Sequence, residues 1–193
     1  MPYLEQTATE INNVLKSTAF KDARFNGGRF EAIATQVMVS EEKALPIVYE
    51  NGDYRDVVFD DRYPVSVYHR VQSNTYSFDA TKDFGRDKKL QKCTSVMLMC
   101  VMAFRDQIKI SKEQLEMLLV SNFPLGNTPN FMTDSLQTNT ISVLDSDMDS
   151  LRVYQNEFKG LEIKLTQERI IFSIRYKIES SWFTGCFDMC NCN

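Results

Sequence analysis

Few residues in this chain have the types or spacing that chemistry needs. His69 is the only histidine among 193 residues. A nucleophilic Cys–His pair would have to join it to Cys93 or Cys100. His69 instead alternates with Val67 and Val71, the setting of a packed structural histidine, and position alone gives no reason for a shifted pKa. Asp145, Asp147 and Asp149 open like a calcium loop. Its sixth position, however, holds Ser150 where glycine is required, and its twelfth holds Asn156 where a bidentate glutamate belongs. These carboxylates read as a solvated acidic turn. Glu41-Glu42 and Asp60-Asp61 are adjacent pairs that point apart on a strand or solvate on a loop, and nothing marks them as general acid and base. Asn26-Gly27-Gly28 has the glycines of a turn without the G-x4-G-K-[ST] frame of a phosphate loop. No catalytic residue, metal ligand or cofactor-binding residue is expected from these patterns.

Five cysteines is an odd count. Cys93 and Cys100 lie in or beside an apolar run and read as small buried hydrophobes. Cys186, Cys190 and Cys192 crowd the end of the chain as C-x3-C-x-C, without the C-x2-C knuckle and fourth ligand of a structural zinc site. A reduced, flexible tail over 181–193 is the plainer reading, with a metal or disulfide clamp as the alternative. Positive charge concentrates only in 82–92, at Lys82, Arg86, Lys88, Lys89 and Lys92 among Asp83 and Asp87. The functional reading is an intersubunit or DNA-facing loop, and the plainer one a solvated tip. Phe84 is its one aromatic, too little for a base-stacking platform. A net charge of −4 argues against sequence-independent nucleic-acid binding as the main task.

The elements that position these residues come from periodicity. Ile170, Phe172, Ile174, Tyr176 and Ile178 alternate with Ile171, Ser173, Arg175, Lys177 and Glu179, which predicts a long strand with one buried and one mostly polar face. Leu4, Ala8, Ile11, Val14, Leu15 and Ala19 predict an amphipathic helix over 3–19. Strands are expected at 30–39, at 45–50 and 54–60 joined by the tight turn Asn51-Gly52, at 65–71 and at 75–79. Asp60-Asp61-Arg62-Tyr63-Pro64 makes a corner. Val96–Phe104 is apolar on every face and reads as a central strand. It is about half of what a membrane-spanning helix needs. Ser111 and Gln114 form a capping box for a helix over 112–121, which ends at Phe123-Pro124. Residues 124–138 are expected as a loop or arm, 140–144 as a strand and 145–149 as a turn. Leu151, Val153 and Phe158 read as an irregular strand. Gly160 then opens a closing hairpin of 161–165 with 169–179.

Together these predict a single α+β domain over 1–180: a mostly antiparallel sheet, an N-terminal helix and a second helix packed on one side, and long loop or hairpin arms. The N-terminus shows no basic region followed by an apolar stretch, so no secretory signal is expected.

This order of elements resembles the phage tail-completion proteins, the tail-terminator and neck-ring family. The likeness is carried by Ser111–Ser121 as the second helix, by Tyr154-Gln155-Asn156-Glu157-Phe158-Lys159-Gly160 leading into Phe172–Ile178, and by the ending Cys186-Phe187-Asp188-Met189-Cys190. That ending is similar to tails in proteins of Bacteroides-infecting phages, crAss-like phages among them. The resemblance implies a non-enzymatic virion protein, assembled in the host cytoplasm, that forms a hexameric or dodecameric ring in the neck or tail. Its partners would be portal, neck or tail proteins, with transient passage of double-stranded DNA and no membrane. Asn127, Asn130 and Phe131 would lie on an intersubunit arm. A small non-enzymatic, monomeric binding or regulatory domain fits the same composition.

Overall fold

The structure, a computed structural model, describes residues 2–50, 53–83, 89–127, 136–161, 166 and 168–183. In chain order its elements are α1 (Pro2–Ser17), β1 (Arg29–Ile33), β2 (Thr35–Met38), β3 (Ala44–Glu50), β4 (Asp53–Asp56), β5 (Val65–Asp83), β6 (Lys89–Phe104), α2 (Arg105–Ile108), α3 (Lys112–Asn122), β7 (Gly126–Asn127), β8 (Leu136–Asp147), α4 (Ser150–Glu157) and β9 (Arg169–Phe183). Six strands form one sheet in the order β1-β5-β6-β9-β8-β7, and β2-β3-β4 form a second. Every pairing is antiparallel except that of β1 with β5. The class is α+β, as the sequence predicts.

The alternation in β9 sets the first core. Ile170, Phe172, Ile174, Tyr176 and Ile178 are each at most 2% exposed, and they share a face with Val65 and Val67 of β5 and Met97, Met99, Val101 and Ala103 of β6. Each such side chain contributes roughly 1.5–3 kcal/mol of transfer free energy. Leu4, Ile11 and Leu15 from α1, Ile108 from α2 and Leu115 and Leu119 from α3 close this face. The capping box of α3 is complete: Gln114 N donates to Ser111 Oγ, and Ser111 N donates to Gln114 Oε1.

The opposite face carries a second core. Tyr68, Cys100, Met102 and Ile171 pack there against Leu45 and Val48 of the small sheet and Val57 just past it, and against Val153 and Tyr154 of α4 and Phe158 at its end. A sheet covered on both faces explains why Val96–Phe104 is apolar throughout, as the central strand must be. At the exit of α4, Gly160 has a φ of 71° and a Cβ there would collide with the Glu42 carbonyl oxygen, so only glycine fits. The neighbouring Lys159 carbonyl accepts from Ala44 N at 3.0 Å, which ties α4 to the small sheet.

Several expected elements change. Leu151 and Val153 lie in helix α4, with Phe158 just past its end, not in an irregular strand, because Asp149 caps the helix by accepting from the amides of Leu151 and Arg152. The expected strand 30–39 divides into β1 and β2, which belong to different sheets. The strands expected at 65–71 and 75–79 are one strand of 19 residues. The strand expected at 54–60 ends at Asp56. Residues 145–147 belong to β8 rather than to a turn. β9 pairs with β6 and β8, and 162–165, which belong to the expected first strand of the closing hairpin, lie outside the described residues. Asn51-Gly52 and the cysteines of the tail also lie outside them. The two expected helices, α1 and α3, do pack on one face as predicted, and α4, not expected as a helix, lies on the other.

Candidate assembly surface and polar cleft

The cross-strand register shows what the long strands build. Near the helices, Arg70 of β5, Leu98 of β6, Arg175 of β9 and Asp145 of β8 form one row across the sheet. Past Ile178 the rows turn polar, first as Thr75, Thr94, Glu179 and Thr140, then as Ser77, Lys92, Ser181 and Thr138. Between them lies the row of Tyr76, Cys93, Ser180 and Asn139, where the Tyr3 hydroxyl donates to Cys93 Sγ at 3.3 Å. Beyond it the residue types become apolar again. Phe78, Gln91, Trp182 and Leu136 form the next row, and Asp79, Leu90 and Phe183 the one after. The facing stretch of β6, Met97 to Lys89, spans about 27 Å at the usual rise of a strand. The extension is a four-stranded blade of β5, β6, β9 and β8.

The basic residues predicted at 82–92 fall at the end of this blade. Lys82 is in β5, and Lys89 and Lys92 are in β6, with Asp83 opposite Lys89. The expected loop is thereby shortened, because both flanks continue as strand. Arg86 and Lys88 lie outside the described residues, as do Asn130 and Phe131. Asn127 is not in a free arm but in β7, opposite Thr140 of β8. The two predicted arms therefore leave the same sheet near the same end and from opposite sides of it.

His69 is fully buried, as its alternation implies. Asn12 Nδ2 donates to the Glu31 carbonyl at 2.9 Å, which leaves Asn12 Oδ1 to accept from His69 Nε2 at 3.0 Å. His69 Nδ1 then accepts from the Tyr176 hydroxyl at 2.9 Å. Burial holds the imidazole neutral, with its pKa lowered from the ordinary 6.5 to about 3. Cys100 lies in the Tyr68 row on the opposite face, so the Cys100–His69 pair is not assembled.

Sequence reasoning missed a polar cleft of about 550 Å³ beside α4. On its wall the Glu157 carboxylate is 2% exposed, accepts from the Tyr68 hydroxyl at 2.9 Å and pairs with Arg70 at 3.1 Å. Burial raises the Glu157 pKa, against the lowering pull of Arg70 and Tyr68. Burial likewise pushes the Cys100 thiol up. Arg70 also donates to Gln36 Oε1 at 2.7 Å, and Gln36 Nε2 donates to the Asn156 carbonyl at 3.1 Å. This chain of bonds joins β5, β2 and α4, so the cleft is a clamp that seats the helix. Asp147 pairs with Arg152 and Asp145 with Arg175 along its rim. The readable signal was Asp149 as an N-cap, followed by Val153, Tyr154, Glu157 and Phe158 at helical spacing.

Fold and surface define an α+β protein whose main sheet is covered on both faces near its cores and runs on as a blade. Neither a family model nor a curated protein sequence matches this chain.

Proposed function

We propose that this chain is a structural subunit that assembles with copies of itself into a ring, in the neck or tail of a phage virion. The observation that carries the reading is the blade: polar rows separate the cores from an end whose register positions hold Phe78, Leu90, Leu136, Trp182 and Phe183. Apolar residue types at the last register positions of a polar extension are the composition that insertion against a neighbour needs. Strands of 19, 16, 12 and 15 residues also far exceed the usual five or six. On the β5 side, the described pairing with β1 covers Ser66–His69, the part of β5 beside the cores. Heterologous contacts by such insertion close into rings. The order of elements adds the phage neck or tail to the reading, with portal, neck or tail proteins as neighbours. No catalytic residue enters it.

The test is molar mass by light scattering and negative-stain imaging of the pure chain, with Phe78→Ser/Trp182→Ser beside it. Rings from the native chain, lost in a variant with an unchanged circular dichroism spectrum, are the expected result. A native chain that stays monomeric at high concentration overturns self-assembly and favours the monomeric binding module. Absence of the chain from purified virions overturns the phage assignment.

A further inference from the structure

A blade that inserts against a neighbour needs a surface to meet, and the small sheet carries one of fitting composition. Along β3, Ile47 and Tyr49 share a face by alternation. The register adds Tyr54 of β4, opposite Tyr49, and Val37 of β2, opposite Leu45. Tyr49 is 63% exposed, Tyr54 72% and Val37 37%, while Ile47 is half-buried. The two tyrosine rings lie 5.0 Å apart between centroids. A cross-strand aromatic pair steadies its hairpin, but it does not account for Met38 and Val39, which are exposed beside Val37. Among the described residues ten large apolar side chains are exposed, and five of them fall between Val37 and Tyr54. Apolar side chains gathered in this way, with tyrosines among them, have the composition of an interface centre.

The charge around this face is opposite to that of the blade end. Residues 35–61 hold seven side-chain carboxylates and two cations, whereas residues 82–92 hold five cations and two carboxylates. Asp53 and Asp56 lie on either side of Tyr54 and Arg55 along β4, and both are exposed. Among the described residues, no ion pair engages either of them, nor Glu41 and Glu42 in the turn from β2 to β3. An apolar centre with an acidic rim complements an end whose register positions hold Phe78, Leu90 and Trp182 beside Lys89 and Lys92. The small sheet sits against the second core, and the blade end lies past the polar rows, so the two patches are separate parts of one chain. A contact between them is heterologous and repeats from copy to copy around a ring.

We propose that the face of Val37, Ile47, Tyr49 and Tyr54 is the socket for the blade end of a second copy of this chain. The socket rests on the self-assembly proposed above and gives the blade its counterpart.

The test mixes two variants of the full chain. Tyr49→Ser/Tyr54→Ser removes the socket and keeps the blade end, while Phe78→Ser/Trp182→Ser removes the blade end and keeps the socket. By light scattering, the native chain should form rings and each variant alone should stay monomeric. Mixed, the two variants should form a one-to-one complex that grows no further, because only one socket and one blade end then remain. Asp53→Lys/Asp56→Lys leaves both tyrosines in place and should weaken assembly at least about tenfold at low salt. Adding Lys89→Glu/Lys92→Glu to that variant should restore it. Rings from Tyr49→Ser/Tyr54→Ser like those of the native chain overturn the socket and leave self-assembly standing. Two monomeric variants that form no complex on mixing show that something other than the blade end, such as the same face of another copy, covers the small sheet, and this too overturns the proposal. A native chain that stays monomeric overturns self-assembly and the socket with it. Should the tyrosine variant lose its native circular dichroism spectrum, the charge variants decide: undiminished assembly of Asp53→Lys/Asp56→Lys, or no rescue by the reversed lysines, overturns the socket.

Discussion

At the residue scale, His69 ties stability to pH. Its folded pKa lies below the unfolded value, so its contribution is fully present above about pH 6.5 and is lost as pH falls towards about 3. In that window the unfolded chain takes up a proton that the folded chain refuses, which costs about 1.4 kcal/mol per pH unit. Glu157 has the opposite sign: its raised carboxyl contributes stability that is present at low pH and lost as pH rises through the folded value. Comparing the native chain with His69→Gln cancels the Glu157 term. The stability advantage of the native chain over this variant should shrink steadily between about pH 7 and about pH 4.5 in urea unfolding. A constant difference across that range would mean that the histidine is charged in the fold. Arg70 belongs at this scale too. Arg70→Met leaves the Glu157 carboxylate buried beside Tyr68 alone, and a loss of about 3–5 kcal/mol is expected by the same measurement.

At the element scale, β9 and α4 respond differently to substitution. Ile174→Asp places a carboxylate on the wholly buried face of β9 beneath α1 and α3, and several kcal/mol, of order 2–7, should be lost. Arg175→Asp, one position along, faces the half-open cleft opposite Asp145 and should cost at most about 1 kcal/mol. Similar melting temperatures for the two variants would contradict the assignment of faces in β9. For α4, Asp149→Ala removes acceptors from the amides of Leu151 and Arg152 and should cost about 1 kcal/mol, with weaker helical circular dichroism. Undiminished stability would show that the Glu157 clamp alone seats the helix.

At the scale of the whole molecule, the arrangement is two cores on one sheet and a blade beyond them. The covered part carries both cores, while the blade has polar rows and apolar residue types at its last register positions. Reversing charge at Lys89 and Lys92 tests what meets that end. Lys89→Glu/Lys92→Glu should weaken assembly most at low salt and progressively less as salt is raised, the signature of a screened contact with an acidic neighbour. Light scattering across a salt series reads this directly, and an effect independent of salt removes charge from the contact.

The sequence by itself determined the elements whose patterns are local. The β9 alternation, the stripe Leu4, Ile11 and Leu15, the Ser111–Gln114 box and the two-sided apolar run at Val96–Phe104 each need only their own spacing to be read. It also placed His69 correctly, because a histidine between valines on a buried face has little else to be. Only the tertiary structure decided the rest. The strand pattern expected at 30–39 gave no sign that its halves join different sheets, since partner choice depends on residues far along the chain. The polar second half of β5 alternates too weakly to reveal one strand of 19 residues, because neither core covers it. Arg70 and Glu157 look like ordinary surface charges in sequence. Their meaning comes from burial and from neighbours dozens of positions away, which spacing along a single element does not encode.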